Sequence, residues 1–376
     1  MRGWFLHTRC ALLLTIAGAA AGCGRLGFDA SEPDRADDGG GGGGGDGGGE
    51  GEDAGDLDGG VVALCSNANA LLVTTDLDEG DLGELPVPPH LGTGLSLREA
   101  MQLSNERAGR DCLRFDGPMT IDILSAVLPA VTDEAGADID GGGEVHVTGV
   151  PGGPRLAIGI DLAAGQSAVR GLRVSNFGTG IRAATAGNSV GPGAHVHGCA
   201  VGVRLSASDN VINDLRSHDN DEHGIQVATG AGDIRVSQVI LQHNAIDGIQ
   251  ASGTSILVRH ATIALNGVGI TGGGEAAITV ANSIFYRNAG AGLTAEDSAE
   301  VDFADFFEDS CNNCAVGDNT IDGDPLFVNV EGDDYRLGEG SPAINAGTDT
   351  GLDVNGDQPG SFNGAAPDLG ARESDE

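Results

Sequence analysis

The 376-residue sequence lacks lysine and has very few aromatic residues. All 19 basic residues are arginines, which excludes a catalytic lysine or a lysine Schiff base. The one tryptophan is Trp4, and the two tyrosines are Tyr286 and Tyr335. Proteins that hold sugar chains usually stack the sugar rings on aromatic side chains. The scarcity of such side chains therefore argues against a polysaccharide-degrading enzyme.

Basic residues are also few against the acidic ones, and the formal net charge is −37. The first 22 residues contain Arg2 and Arg9 and no acidic residue, so their removal gives −39. A surface this negative repels nucleic acid and anionic lipid headgroups. We therefore expect no nucleic-acid partner.

A glycine followed by an aliphatic residue returns about once every 22 residues. A period of this length is typical of solenoids, in which each repeat buries its apolar side only against its neighbours. The marker glycines, each followed by Ile, Val or Leu, are Gly159, Gly180, Gly202, Gly224, Gly248, Gly269 and Gly292.

Between the marker glycines lie short β-branched stretches such as residues 234–236, 256–258 and 278–280. They are interrupted by Gly, Asn and Asp and show no helical period. Each repeat therefore predicts two or three short strands, and stacked repeats predict parallel sheets about 4.8 Å from strand to strand. We expect roughly eight such coils over residues 115–300.

An asparagine precedes most of the marker glycines by three or four positions, and Gly198 interrupts the series. Asparagine tolerates left-handed backbone, and its side-chain amide can bond to the next coil. The pattern predicts a stacked asparagine ladder at one turn, formed by Asn176, Asn220, Asn244, Asn266 and Asn288.

The N-terminus has the features of a secretory signal over residues 1–22, with an apolar run from Ala11 to Ala21. The stretch 20–23 resembles a bacterial lipobox, which implies that Cys23 carries a lipid and anchors the chain in the cell envelope. Since Gly24 follows Cys23, the resemblance implies the outer membrane or cell surface. Ordinary cleavage after Ala21 is the alternative. Residues 23–60 are rich in Gly, Asp and Glu and predict a disordered tether.

Six cysteines remain after Cys10, which leaves with the signal. Besides the lipid candidate Cys23, two pairs can form disulfides in an oxidising envelope, Cys65 with Cys112 and Cys311 with Cys314. The short Cys311–Cys314 spacing has no further ligands at zinc-site spacing, so a structural disulfide is expected. The unpaired cysteine is expected to be a buried packing residue, Cys199.

Residues 95–101 resemble the "CSLREA" motif of secreted bacterial parallel β-helix proteins, with Leu95 in place of the cysteine. Ser96 with Glu99 forms a capping-box pattern, which predicts a short helix ending near Glu106. Within an N-terminal cap over residues 61–114, this helix would cover the open end of the solenoid.

The C-terminal region, residues 301–376, is similar to the "choice-of-anchor Q" domain of right-handed parallel β-helix surface proteins. The stretches that carry the resemblance are residues 324–327, 335–337, 341–347 and 367–371. The resemblance implies an all-β fold, a pectate-lyase-like right-handed parallel β-helix. It implies architecture more than activity, because most such proteins have no assigned reaction.

The densest polar group among the coils is Asp219, Asp221, Glu222 and His223, with Asp247 one coil later. Pectate lyases and polygalacturonases of the broader superfamily use clustered carboxylates to bind calcium or as an acid and base pair. The Asn-Thr-Asp and Arg-x-Lys elements of polygalacturonases are missing. The competing interpretation is a set of solvated turn residues.

Five histidines in the coils invite a metal-site interpretation, namely His195, His197, His218, His243 and His260. His197 and His243 share a register but lie two coils apart, about 10 Å, too far to share one ion. His218 is expected one position out of that register. We therefore predict scattered polar strand positions and no metal site here.

The segment Asp353, Asn355 and Asp357 has alternating oxygen ligands like the start of a calcium loop. Gln358 and Gly364 stand where an EF-hand has glycine and glutamate, so that motif is not met. A looser structural calcium site is the remaining interpretation, and no other cofactor is expected.

These observations favour a lipid-tethered, non-enzymatic envelope protein whose β-helix binds a polysaccharide or an envelope protein, or supports envelope structure. One alternative is a lyase or glycosidase acting on acidic polysaccharide, centred on Asp219, Asp221, His223 and Asp247. Another is a calcium-dependent adhesin.

Overall fold

The computed structural model describes residues 70–80, 94–355 and 360–374. These residues form one α-helix, α1 (Leu97–Glu106), a single 3-10 turn at Val330–Gly332, and short strands. The strands are β1 (Leu71–Val73), β2 (Asp111–Phe115), β3 (Met119–Asp122), β4 (Ala137–Thr148), β5 (Ile158–Leu162), β6 (Ala168–Ser175), β7 (Thr179–Ala183), β8 (Ser189–Val190), β9 (Ala194–His197), β10 (Val201–Leu205), β11 (Val211–Asn213), β12 (Leu215–His218), β13 (His223–Val227), β14 (Ile234–Ser237), β15 (Ile240–Gln242), β16 (Asp247–Ser252), β17 (Ser255–Arg259), β18 (Thr262–Ala264), β19 (Val268–Gly273), β20 (Ala277–Tyr286), β21 (Leu293–Phe307), β22 (Cys311–Val316), β23 (Phe327–Asn329) and β24 (Asp334–Leu337).

Strands β1 to β22 pair in parallel and coil into a solenoid of about nine turns. We name its three faces by their strands. Sheet A contains β5, β7, β10, β13, β16, β19 and the start of β21. Sheet B runs from β1 and β2 through β8, β11, β14 and β17 to β22. Sheet C contains β3, β9, β12, β15, β18 and the ends of β4, β6, β20 and β21.

The solenoid predicted from the glycine repeat is confirmed, and the aliphatic residue after each marker glycine fixes its register. These residues pair in successive coils of sheet A, and each is fully buried in one continuous core. They are Ile160, Ile181, Val203, Ile225, Ile249, Ile270 and Leu293. Parallel pairing extends from Leu71 to Val316, beyond the expected 115–300.

The marker glycines lie where successive coils approach each other most closely. A Cβ atom on Gly224 would lie 2.8 Å from the carbonyl oxygen of Gly248, and one on Gly269 only 2.1 Å from that of Gly292. The other four markers from Gly159 to Gly248 show 2.5–2.8 Å to the next marker's carbonyl oxygen. These glycines therefore repeat because a side chain would push the coils apart.

In the turns from sheet C to sheet A, the left-handed backbone and the hydrogen bonds between coils belong to two different residues. The first turn residue has left-handed backbone, as at Asp219 (φ 51°) and His243 (φ 52°). The second accepts hydrogen bonds from the coil below, so that Asn220 donates to Asn244, and Asn244 to Asn266, at 2.8–2.9 Å. The predicted ladder bonding is confirmed for Asn220 and the three asparagines above it.

Two details of the ladder prediction are wrong. None of the four ladder asparagines has left-handed backbone, because the preceding residue takes that conformation. Asn176 is a first turn residue (φ 65°), and its amide donates to Thr148 Oγ1 at 2.9 Å. The turn before β7 has three residues, whereas the turn before β13 has four. The position four residues before the marker glycine is therefore the first turn residue in one coil and the second in the other.

The predicted capping box of α1 is confirmed. Ser96 Oγ accepts from the amide of Glu99 at 3.2 Å, and Glu99 Oε2 accepts from the amide of Ser96 at 2.9 Å. Leu97 and Met101 are buried and join the solenoid core, and the helix contacts β1 and β2. The helix thus covers the apolar interior beside these first rungs.

The segment after β22 folds back over the outer side of sheet C. Its Tyr335, Ala343 and Leu369 pack with Ile284 and Tyr286 of the sheet in a second apolar cluster. The side chain of Gln242 donates to Asp333 at 2.8 Å, which adds a polar contact. The C-terminal stretches singled out in the sequence therefore supply packing, and both tyrosines are buried, 6% and 3% exposed.

Cys311 and Cys314 form a disulfide with Cα atoms 5.8 Å apart, and Cys199 is free and buried, as expected. Cys112 is disulfide-bonded. Cys23, Cys65, the signal 1–22 and the tether 23–60 lie outside the described residues, so those expectations stay predictions. Among described residues, no helix has the length and apolar character needed to cross a membrane.

Candidate functional site

The polar residues around β13 form three separate pairs. Asp219 Oδ2 lies 2.6 Å from His218 Nδ1, and Asp221 Oδ2 lies 2.5 Å from an Arg155 guanidinium nitrogen. His223 and Asp247 form the third pair. Asp219 and Asp221 are exposed turn residues with side chains 63% accessible, whereas His223 and Asp247 are buried on sheet A. The predicted catalytic set is therefore not one converging carboxylate cluster.

The His223–Asp247 pair arises because these residues occupy the same position in successive coils. Nδ1 of His223 lies 2.9 Å from Asp247 Oδ2, close enough for an ion pair but without hydrogen-bond alignment. Thr271 donates to the other carboxylate oxygen at 2.7 Å. An imidazole beside a carboxylate has the parts of a general base. Among the described contacts, no serine or cysteine nucleophile bonds to His223.

A longer feature on the same strands is a column of polar side chains on the outer side of sheet A. Its members pair in consecutive coils, each two residues after a marker glycine. We call them the polar column: Asp161, Arg182, Arg204, Gln226, Gln250, Thr271 and Thr294. The signal for this column in the sequence is its fixed spacing, two residues after each marker glycine, and the predictions above rest on the glycine and its aliphatic neighbour alone.

At the middle of the polar column lies a groove of about 370 Å³. Its polar lining comes from Arg204, Gln226, Gln250 and hydroxyl side chains, among them Ser206 and Ser252. Arg182 is neutralised by Asp161 through two bonds of 2.6–2.8 Å. No carboxylate partner of Arg204 occurs in the described ranges, and its buried Nε has no hydrogen-bond partner. This groove therefore offers one unsatisfied cation among amides and hydroxyls.

Four histidines cluster on the outer side of sheet C. His195 Nε2 and His218 Nε2 are 2.5 Å apart, and the rings of His197 and His218 stack with centroids 5.2 Å apart. His146 lies beside them, its centroid 5.9 Å from His197. Burial, together with neighbouring histidines and Arg173, lowers the pKa of His195 to about 3 and that of His197 to about 4. These imidazoles are therefore neutral at pH 7.

The histidine cluster corrects the register expected from the sequence. His218 pairs directly with His197, whereas His243 follows Gln242, the residue that pairs with His218. The reason is again the extra turn residue before β13 and β16. His260 lies elsewhere, 3.1 Å from the Thr350 hydroxyl. Within the described ranges, no group of three or more His, Cys, Asp or Glu side chains is arranged to hold a metal ion.

Two of the three predicted calcium ligands, Asp353 and Asn355, lie among the described residues. The Asp353 carbonyl accepts from the Gln238 side chain at 2.9 Å, and Asn355 donates to Asn363 at 3.3 Å. Asp357 lies outside the described residues. The calcium site stays a prediction.

The fold of this chain has a known structural neighbour. It is similar to pectate lyase Pel9A at 13% identity, with a TM-score of 0.58, over 82% of this chain and 97% of that one. The described part of the chain is thus a parallel β-solenoid with a pectate-lyase-like neighbour.

Weaker likenesses are to the A-module of Azotobacter vinelandii mannuronan C-5 epimerase AlgE6 and to the catalytic domain of a GH87 α-1,3-glucanase. The epimerase module gives a TM-score of 0.28 at 12% identity, over 60% of this chain and 93% of that one. The glucanase gives 0.24 at 11% identity, over 64% and 70%.

No protein-family model matches the sequence, and no curated protein matches it. The resemblances of the N-terminal and C-terminal stretches to solenoid surface proteins therefore stay predictions, as does the lipobox.

Proposed function

We propose that this protein is a lipid-anchored, non-catalytic solenoid of the cell envelope that binds acidic polysaccharide along the polar column. The observation that carries the proposal is the column itself, whose central Arg204 has no carboxylate partner among the described residues. Amides, hydroxyls and an arginine are groups that hydrogen-bond sugar hydroxyls and carboxylates. The spacing of about 4.8 Å between coils presents them as a regular array to an extended chain.

A polymer is a better match to this surface than a small molecule. The groove is open, and six of its eight lining residues have polar side chains, whereas pockets for small ligands are concave and mainly apolar. Both tyrosines are buried where the C-terminal segment packs on sheet C, so recognition on sheet A must rest on hydrogen bonds and charge. Asp161 is the one carboxylate in the polar column, and its pairing with Arg182 leaves no free carboxylate in the column to repel an acidic chain at Arg204.

The binding test compares oligouronates with neutral oligosaccharides of equal length by calorimetry. We expect oligouronates to bind, and Arg204→Ala to weaken binding about 10- to 100-fold, the effect of losing a hydrogen bond to a charged group. Arg235→Ala is the matched control, because Arg235 is also half-buried but lies on sheet B. Equal binding by Arg204→Ala and the unaltered protein would overturn the proposal.

The enzyme alternative is favoured by the His223–Asp247 pair beside the column. Incubation of the protein with uronate polymers and calcium decides between the two functions. We expect no shortening of the polymer. Cleavage that disappears in Asp247→Asn or His223→Ala would establish the enzyme and exclude the non-catalytic function.

The anchor has its own test. Mass spectrometry of the mature N-terminus should find a lipid on Cys23, lost in Cys23→Ser. An unmodified N-terminus at residue 22 or 23 would remove the membrane attachment from the proposal and leave polysaccharide binding unaffected.

A further inference from the structure

The pairing of His195 with His218 on sheet C is a feature that polysaccharide binding does not use. His218 Nδ1 lies 2.6 Å from a carboxylate oxygen of Asp219. A carboxylate only accepts hydrogen bonds, so Nδ1 carries the proton of the neutral ring. The Nε2 lone pair of His218 therefore points to His195 Nε2, 2.5 Å away.

We propose that His195 and His218 bind a late first-row divalent metal ion, such as Zn²⁺ or Ni²⁺, through their Nε2 atoms. Imidazole is a preferred ligand for these ions. At zinc–nitrogen distances of about 2.0–2.1 Å, two tetrahedral ligands lie about 3.3 Å apart, so the rings separate by somewhat under ~1 Å. Both side chains are only partly buried, and solvent supplies the remaining ligands.

Asp219 completes the arrangement as a positioning residue. Metal-ligating histidines typically donate their other ring N–H to a carboxylate, which fixes the tautomer and raises ligand basicity. Asp219 is placed for this by its left-handed position in the turn directly after β12 (φ 51°). The carboxylate also contributes a negative charge beside the ion.

Two arginines flank the histidine pair, and one of them is paired with a carboxylate. Arg173 lies in the coil below His195, and Arg216 lies in the coil above it. The guanidinium of Arg216 is paired with Asp333 at 3.0 Å. Burial lowers the pKa of both imidazoles and the nearby guanidiniums lower it further, so both rings are in the neutral form in which histidine binds metal.

His197 supplies a second, independent observation. Its Nε2 atom is buried without a hydrogen-bond partner, and its ring stacks on that of His218 at an interplanar angle of 9°. An unpartnered nitrogen beside the pair is a costly arrangement unless a ligand uses it. Because the described residues contain no preformed group of three ligands, His197 would have to rotate before it could serve as a third ligand.

The proton balance of binding is simple. In the metal-free protein the N–H of His195 Nε2 donates to His218 Nε2. When the ion takes both lone pairs, that proton leaves Nε2 and His195 adopts the Nδ1–H tautomer. Since both rings start neutral, no net proton is released at pH 7.

The test titrates the full-length protein with Zn²⁺ and Ni²⁺ against a chromophoric chelator. We expect one site that competes with the chelator. His195→Gln and His218→Gln should each weaken it at least tenfold, and Asp219→Asn about 10- to 100-fold, as for other second-layer carboxylates. Co²⁺ should give visible absorption bands of a nitrogen-ligated ion that the His195→Gln variant lacks.

Two controls separate this site from general cation binding by an acidic chain. His243→Gln removes an exposed turn histidine outside the cluster, and Asp221→Asn removes an exposed carboxylate from the same turn as Asp219. Both should leave the affinity unchanged. The proposal is overturned if the double variant His195→Gln/His218→Gln, folded by circular dichroism, binds the ions as the unaltered protein does.

Discussion

Replacing a marker glycine by alanine is the sharpest test of how the coils are held. In Gly224→Ala the new Cβ would lie 2.8 Å from both the Gly248 carbonyl oxygen and the Asn244 side-chain nitrogen. Ordinary contacts begin at about 3.4 Å, so the next coil must shift by roughly 0.6 Å or the asparagine ladder must break. Overpacking of this kind costs about 1–3 kcal/mol, and a strained ladder bond adds about 1 kcal/mol.

We therefore expect Gly224→Ala to lower the free energy of unfolding by about 2–4 kcal/mol. Gly269→Ala should cost more, because its Cβ would lie 2.1 Å from the next carbonyl oxygen. Gly232→Ala is the matched control, since its Cβ would meet only side-chain oxygens at 3.6–3.7 Å. Alanine there should be neutral or stabilise by up to about 1 kcal/mol through the unfolded chain.

The assay is urea unfolding followed by far-ultraviolet circular dichroism, with midpoint and slope fitted separately. A lower slope in the marker variants would indicate that one coil interface has uncoupled, as expected of a solenoid. The reasoning is refuted if Gly224→Ala and Gly232→Ala unfold within about 0.5 kcal/mol of each other, the usual spread of neutral surface changes.

Three further predictions concern buried polar groups. Asn244→Ala should lower the free energy of unfolding in urea by about 3–4 kcal/mol, because four side-chain hydrogen bonds of 2.8–3.3 Å are lost in a buried site. Asn312 is exposed and its side chain makes one weak hydrogen bond, so Asn312→Ala should cost under about 0.5 kcal/mol. Equal losses in the two variants would contradict the ladder. Burial raises the pKa of Asp305 from 3.8 to about 7, so the stability it contributes is present below pH 3.8 and is lost as pH rises through 7. In Asp305→Asn the urea midpoint should therefore fall less as the pH rises over this range. Asp309, whose pKa is also raised by burial, should leave a smaller fall of the same sign. A pH profile of the urea midpoint that is the same as in the unaltered protein would count against this prediction. Burial raises the pKa of the Cys199 thiol to about 11, so iodoacetamide should modify it at neutral pH only after unfolding, and mass spectrometry showing native modification would contradict its burial.

The candidate site shows how local spacing misleads. Asp219, Asp221, His223 and Asp247 are close in sequence or one coil apart, which suggested one catalytic group. Asp219 instead contacts the adjacent His218, and Asp221 pairs with Arg155 from an earlier segment, so only His223 and Asp247 meet. A side chain's partner depends on which face of which strand it leaves, and one extra turn residue changes that face.

The sequence by itself determined the solenoid, the register of sheet A, the capping box of α1 and most of the asparagine ladder. The solenoid, its register and the ladder follow from contacts between equivalent positions of neighbouring coils, so a periodic pattern contains them. The capping box follows from two residues three positions apart. The Gly-aliphatic step is the clearest case, since one position must lack a side chain and the next must fill the core.

Only the tertiary structure decided what lies beside what on the outer faces. Turns of three or four residues bring His195 and His218 together and move His243 away. The return of the C-terminal segment over sheet C buries its own Tyr335 against Tyr286 of the sheet. On sheet A, Arg204 is left without a carboxylate partner among the described residues. Outer side chains carry no packing constraint that repeats, so their neighbours are set by turn length and by the path of distant segments.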